Sequence, residues 1–411
     1  MKNNNLFELP LMDDNITRED VNEVIDFLSQ DPIPRLTNGP KVKEFEEEWS
    51  KWLGVEYSLM VNSGSAANEL TMLALKYIED RKKLGGTGEI IIPPLTWISD
   101  VASVLFSGFT PIFCDVNMKN LSFDLEKLKE CITKQTKAIF VTHVLGINAL
   151  SDELIEICEQ NNILLIEDVC ESHGATFKNR KVGSIGFASN FSFYFAHHMS
   201  TIEGGMVCTN DEEFYQVCRM LRSHGMSREA TDENLKNRLI DENPDLNPDF
   251  IFARPSHNFR STEINAVMAL SQIKRLDQNN EIRKQNFSFF VNSLDPDLYV
   301  TDLETEGQCN YALIVIMKGI SSFDYFPRPG SMERRDAIEK ALKDNNIEFR
   351  RGLSGGGNQM LQPYMKSNFP SDPSNFNNIN YLHNFSWYIG NYPTLHRNKI
   401  EKLIDVLNNE T

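Results

Sequence analysis

"YSLMVNSGSAANELTMLALKYI", residues 57–78, changes its periodicity partway along, and that change decides the fold class. Residues 57–61 form a short apolar run of strand length. Behind the serines, which suit a helix N-cap, Leu70, Leu73 and Ala74 keep helical spacing. The alternation repeats further along. "EIIIPPL" (89–95), "TPIFCDV" (110–116), "KAIFVTHVL" (137–145), "ILLIEDV" (163–169) and "GGMVCT" (204–209) read as strands. "DLEKLKECI" (124–132) and "SDELIEICEQN" (151–161) read as amphipathic helices between them. Strands alternating with helices predict an α/β fold with a large, mostly parallel, helix-covered sheet.

Beyond it, "MSREATDENLKNRLIDENPDLNPDFIFARPS" (226–256) is polar and turn-rich, and too long for an ordinary connection. It is expected to be a functional excursion. A helical stretch is predicted near 260–293. "YALIVIM" (311–317) and "SMERRDAIEKALKDNNI" (331–347) predict a smaller C-terminal α+β unit. The expected organisation is a large domain over 1–295, with an N-terminal arm and an inserted loop at 226–256, and a small domain over 296–411.

Formal net charge is −17 over 411 residues. Such a balance disfavours an extended phosphate-binding surface, so nucleic acid is not an expected partner; a small anionic ligand needs a locally positive pocket. No run approaches the roughly 18 apolar residues of a membrane span, and "MKNNNLFELPLMDDN" (1–15) lacks the apolar core of a signal peptide. A soluble, cytoplasmic protein is expected. The seven cysteines form no CxxC pair and no tight cluster, which argues against a disulfide framework, zinc or an iron–sulfur centre.

In open α/β sheets ligands gather beyond the carboxyl ends of the strands. "NSGSAAN" (62–68) sets small residues at such a turn, where amides and the helix N-terminus can cradle a phosphate; the same residues equally suit a plain helix cap. "PPLTW" (93–97) sets Trp97 just past a strand, as a cofactor platform or as core. "LLIEDVCESHGA" (164–175) ends an apolar strand with Glu167 and Asp168. A carboxylate there can pair with a protonated pyridine nitrogen, or cap a helix. "NFSFYFAHHMSTIEGG" (190–205) adds Ser192, a phosphate ligand by type, and the pair His197–His198. Adjacent side chains point to different sides in regular structure and no third ligand accompanies them, so no metal is expected.

In order and spacing these segments resemble the DegT/DnrJ/EryC/StrS sugar aminotransferase family of fold-type-I pyridoxal-phosphate enzymes, from "PRLTNGPKVKEFEEEW" (34–49) to the C-terminus. The resemblance implies an aspartate-aminotransferase-like fold and pyridoxal or pyridoxamine 5'-phosphate as cofactor. By the family's pattern, amides of Ser65 and Ala66 and the hydroxyl of Ser192 hold the phosphate. Trp97 stacks on the ring, Asp168 pairs with its nitrogen and Glu171 lies near its hydroxyl. "HNFRSTEINAVMALSQIKRLD" (257–277) resembles the segment by which this family reaches into a neighbouring subunit, implying a homodimer in which Asn258 crosses to the partner's site.

One residue departs from that pattern. Counted back from the "EGG" turn, His197 occupies the position of the family's lysine, and no lysine occurs between Lys181 and Lys236. An imidazole lacks the two removable hydrogens of a primary amine, so the cofactor is expected to be non-covalent. Histidine can still shuttle protons, with an unperturbed pKa near 6.5. The histidine is shared by the family's sugar 3-dehydratases, and "FYFAHHMSTIEGGMV" with "DLNPDFIFARPSHN" resembles the branch acting on GDP-4-keto-6-deoxymannose. The implied activity is removal of the C3 hydroxyl from an NDP-sugar of that type. L-glutamate would convert the cofactor to its amine form, and His197 would act as acid and base. Anionic substrates need cations, for which Arg222, His224, Arg228, Arg254, Arg350 and Arg351 are the candidates. An aminotransferase using a remote lysine and a non-catalytic sugar-nucleotide-binding protein are the competing readings.

Overall fold

The computed structural model describes residues 7–78, 88–319, 329–368 and 372–409. Five strands come first: β1 (Tyr57–Val61), β2 (Glu89–Ile92), β3 (Thr110–Phe113), β4 (Thr136–Thr142) and β5 (Leu164–Asp168). A two-residue hairpin, β6 (Thr176–Phe177) with β7 (Arg180–Lys181), precedes β8 (Ala188–Ser192) and β9 (Gly205–Thr209). Seven of these make one sheet in the order β1-β9-β8-β5-β4-β2-β3. All neighbours from β8 to β3 pair parallel, whereas β9 runs antiparallel to both β8 and β1. The α/β expectation holds, with one reversed strand.

Both faces of the sheet are covered, which is why its strands read as unbroken apolar runs. Ile90, Ile92, Phe140 and Ile166 pack on one side with Leu70 and Ala74 of the helix Gly64–Tyr77. Ile91, Ile139, Val141 and Leu165 pack on the other with Phe45 and Trp49 of the helix Pro40–Leu53. Strand β8, "ASNFS", lacks this signature. Its buried polar groups are held by side-chain hydrogen bonds instead: Ser189 Oγ donates to the Gly183 carbonyl at 2.6 Å, and Thr71 Oγ1 donates to Asn190 Oδ1 at 2.6 Å.

The helix Glu263–Ser293 runs between two cores. Ala266, Ala269 and Leu276 belong to the large sheet's core, and Phe287, Phe290 and Val291 to that of a second sheet. That sheet consists of β10 (Ala312–Ile316), β11 (Phe349–Arg351) and β12 (Ser386–Gly390), antiparallel in the order β10-β12-β11. The stretch 226–256 is more regular than its composition implied. It contains the helix Glu233–Asp241, capped by Asp232, between short turns of 3₁₀ helix at Ser227–Glu229 and Pro248–Phe250. The helix buries none of its residues, and Leu235 and Leu239, at i and i+4, give it only a narrow apolar stripe.

Candidate active site

The carboxyl ends of β1, β2, β4, β5 and β8 open on one side of the sheet, around a cavity of about 350 Å³. Ser63 caps the helix after β1, its Oγ accepting from the Ala66 amide at 3.0 Å. Gly64 follows, and a Cβ there would lie 2.5 Å from Ser192 Cβ. Only glycine lets the helix N-terminus approach β8 this closely. Ser63, Gly64 and Ser65 thus meet Ser192 on one wall, where helix amides and hydroxyls make an anion site. The Ala66 amide, expected to hold phosphate, is already engaged by the Ser63 cap.

Asp168, 3% exposed, ends β5 and lines the cavity. Its Oδ1 accepts from the Cys170 amide at 2.8 Å and its Oδ2 from Asn68 Nδ2 at 3.1 Å. The neighbouring acid, Glu167, points to the other face and is wholly structural. It accepts from the amides of Gly183 (2.7 Å), Ile185 (3.1 Å) and Gly186 (2.6 Å) and contacts His143 Nε2 at 3.1 Å. The strand's alternation therefore separates the two carboxylates that looked equivalent in sequence. Trp97, 53% exposed, stands at the cavity mouth after β2. Glu171 Oε2 accepts from the Leu145 amide and its Oε1 from Ser354 Oγ, both at 2.9 Å. Burial pushes this carboxyl up to about 7 against those two donors.

The histidine pair splits. His198 faces the core, its Nε2 2.9 Å from the Cys309 carbonyl and its ring stacked on His173 with centroids 5.3 Å apart. His197 faces the cavity. Its backbone is pinned from the N-terminal arm, where Asn15 Nδ2 donates to the His197 carbonyl at 2.5 Å. Its Nδ1 is sealed from solvent and has no hydrogen-bond partner, which leaves Nε2 to exchange a proton with an occupant. The ordinary histidine titration near neutrality does not apply here: burial pushes His197 down to about 4, with the Asp168 charge opposing. The imidazole is neutral at physiological pH. No lysine lines the cavity among the described residues, and no group of three metal-ligating side chains occurs among them.

The cationic candidates lie elsewhere. Arg222 is 2% exposed and bonds Glu46 Oε1 at 2.6 Å and the Met60 carbonyl at 3.1 Å, so it serves the core. Arg351 holds both oxygens of Glu339, at 2.5 and 2.7 Å, and Arg350 pairs with Glu348 at 3.1 Å. Arg228 is exposed and lies over the Phe250 ring, 5.3 Å from its centroid, and Arg254 lies over Tyr77 at 5.5 Å. His224 is exposed, with a left-handed backbone (φ 63°). Asn258 is exposed too, its Oδ1 accepting from the Arg260 amide at 3.1 Å. None of these residues lines the cavity of its own chain. Tyr311 and Tyr388, from the small unit, line it and carried no signal in the sequence; Ser354 lines it too, from the glycine-rich stretch "RRGLSGGGNQMLQPYM" (350–365), which resembles a substrate loop of the family's dehydratases.

The model of the DegT/DnrJ/EryC1/StrS aminotransferase family matches residues 14–408. A GDP-4-keto-6-deoxy-D-mannose 3-dehydratase from Escherichia coli O55:H7 is 30% identical over 374 residues, covering 90% of this chain and 93% of its own. A GDP-perosamine synthase from Caulobacter vibrioides is 31% identical over 256 residues, 62% of each chain. The solved structure of E. coli GDP-4-keto-6-deoxy-D-mannose-3-dehydratase with bound hydrated PLP matches with a TM-score of 0.86 at 28% identity, over 98% of this chain and 99% of that one. A GDP-4-keto-6-deoxymannose-3-dehydratase with a trapped PLP-glutamate geminal diamine gives 0.83 at 28% identity, over 97% and 100%.

Pyridoxal phosphate suits the residues of this cavity. A dianionic phosphate needs the anion site that Gly64 makes possible at Ser63–Ser65 and Ser192. A pyridinium nitrogen needs a buried acid, which Asp168 supplies, and a flat ring needs an aromatic cover such as Trp97.

Proposed function

Because the chain belongs to the DegT/DnrJ/EryC1/StrS aminotransferase family and is a pyridoxal-phosphate enzyme of sugar modification, we propose that it is a sugar-nucleotide 3-dehydratase. It removes the C3 hydroxyl of an NDP-4-keto-6-deoxy sugar, with L-glutamate as cosubstrate. GDP-4-keto-6-deoxy-D-mannose is the substrate favoured by the relatives. The observation that carries this reading is His197: a neutral imidazole with one free nitrogen faces the cavity where a transaminating lysine would be required.

When bound, the cofactor supplies an amine for the sugar's C4 ketone and a conjugated sink for electrons. The chain's residues do the rest. Ser65, Ser192 and the helix N-terminus bind the phosphate, Trp97 covers the ring, and Asp168 holds the positive charge of the ring nitrogen. Glu171 lies by the ring hydroxyl. Nε2 of His197 would take up a proton and return it to the departing C3 hydroxyl, one group serving as base and then acid. By the family's pattern Asn258, exposed and outside its own cavity, serves the partner's site in a homodimer.

The rival is amination at C4, the chemistry of the family's aminotransferases. The missing lysine counts against it. The test is mass spectrometry of products from a panel of NDP-4-keto-6-deoxy sugars incubated with glutamate: a 3,6-dideoxy-4-keto product is expected, and an amino sugar would overturn the proposal.

A further inference from the structure

Asp100 is a buried acid with no part in the reaction as described. It lies in the first turn of the helix Ile98–Phe106, three residues after Trp97, and is 1% exposed. Acids in a first helical turn are favoured by the dipole and normally face water. This one faces inward. Asn68, fully buried, ties it to Asp168: Asn68 Nδ2 donates to Asp100 Oδ1 at 2.6 Å and to Asp168 Oδ2 at 3.1 Å. Two carboxyls sharing one amide out of water resist ionising together, because each charge raises the cost of the other.

The second oxygen of Asp100 says which one keeps the proton. Oδ2 forms a triangle with Thr142 Oγ1, 3.0 Å away, and Thr96 Oγ1, hydrogen-bonded to it; the two hydroxyls are 2.7 Å apart. An ionised Asp100 brings no proton, so two hydroxyl hydrogens can fill only two of these three contacts. A protonated Asp100 fills all three as a closed ring. Asp168 has different surroundings: besides the Asp100 carboxyl itself, its contacts include the N–H groups of Cys170 and Asn68, both donors suited to an anion.

We propose that Asp100 is a positioning residue that carries the proton of this pair and, through Asn68, holds Asp168 as the anion facing the cavity. The assignment rests on the reading of Asp168 as partner of the cofactor's ring nitrogen. Burial and the Asp168 charge both push Asp100 well above the usual carboxylate range. Among the described residues the titratable groups around the pair are Cys170, Glu171, His197 and Tyr364, with no cation among them to draw Asp100 into ionising.

Two measurements test it. In the cofactor-free protein at neutral pH, difference infrared spectroscopy should show a protonated-carboxyl band that disappears in Asp100→Asn and survives in Glu171→Gln. With pyridoxal phosphate bound, Asp100→Asn, a neutral mimic, should leave the pH of ring-nitrogen deprotonation within about one unit, while Asp100→Ala should loosen Asp168 and weaken cofactor binding about tenfold or more, equivalent to one pKa unit. Absence of the band in the wild type, or a larger shift in Asp100→Asn, overturns the assignment. If the band behaves as expected but Asp168→Asn leaves the cofactor's titration unmoved, the role of Asp168 fails and the proton on Asp100 stands.

Discussion

Tyr311 stands edge-on to His197, ring centroids 5.7 Å apart at 62°, and joins the small unit to the imidazole that faces the cavity from the large one. This cover is part of the burial that pushes His197 down to about 4. A lowered histidine pKa means the neutral, proton-accepting form prevails above that value, so the acid limb of kcat/KM should fall near pH 4 rather than near 6.5. Tyr311→Ala admits water and should move the limb upward. Carbon-13 histidine NMR of the cofactor-free enzyme reads the same titration directly; an inflection at 6 to 7 assigned to His197 would contradict it.

Arg222 was a candidate for the substrate's phosphates, and the structure gives it a different task. It neutralises Glu46 inside the protein, where both are nearly sealed from water. Removing one partner of a buried pair strands the other, at a cost of about 3–5 kcal/mol. Arg222→Ala should therefore show that loss in urea unfolding. A stable variant with a raised KM for the sugar nucleotide would restore the binding role.

How much of this was legible follows from what each residue touches. The ends of β5 and β8 could be read as site positions, but the choice of Asp168 over Glu167, and the role of Ser192, came from the family's pattern rather than from the strands. Strand β8 itself could not, since Ser189 Oγ and Asn190 Oδ1 are held by side-chain hydrogen bonds that composition does not reveal. Asp100 carries no signal in the sequence; only the approach of Asn68 and Thr142, 32 and 42 residues away, makes it part of the site. The arginines misled because positive charge in sequence says nothing of its partner: Glu46 is distant from Arg222 in the chain, Glu339 lies on another element from Arg351, and Glu348 directly precedes the strand that holds Arg350.

The cofactor should never be attached covalently. Borohydride treatment of the pyridoxal-phosphate form should leave no pyridoxyl group on any tryptic peptide, since no lysine lines the cavity among the described residues. His197→Lys should create such an adduct and abolish most dehydration. A stoichiometric adduct on a wild-type lysine would remove the basis of the proposal.

If Asn258 serves the partner's site, two defective protomers should rescue each other. Mixing His197→Ala with Asn258→Ala chains creates hybrid dimers in which one of the two sites retains both residues. Activity should return as subunits exchange, up to the share of intact sites in the mixture. Exchange demonstrated by mass spectrometry without recovered activity would mean that Asn258, exposed as it is, acts on neither site.

The fate of glutamate's nitrogen separates dehydration from amination. In either reaction glutamate gives its amino group to the cofactor and leaves as 2-oxoglutarate. An aminotransferase then delivers that nitrogen to sugar C4 and needs an amine, usually lysine, to release the product and recapture the cofactor. Here the equivalent residue is a neutral imidazole that can move a proton but cannot form that bond. Elimination of the C3 hydroxyl followed by hydrolysis places the nitrogen in solution as ammonia, and glutamate's two electrons account for the lost hydroxyl, so no external reductant is required. With nitrogen-15 glutamate and GDP-4-keto-6-deoxymannose, label should appear in ammonia in step with 2-oxoglutarate. Label retained in the sugar would reassign the enzyme to amination.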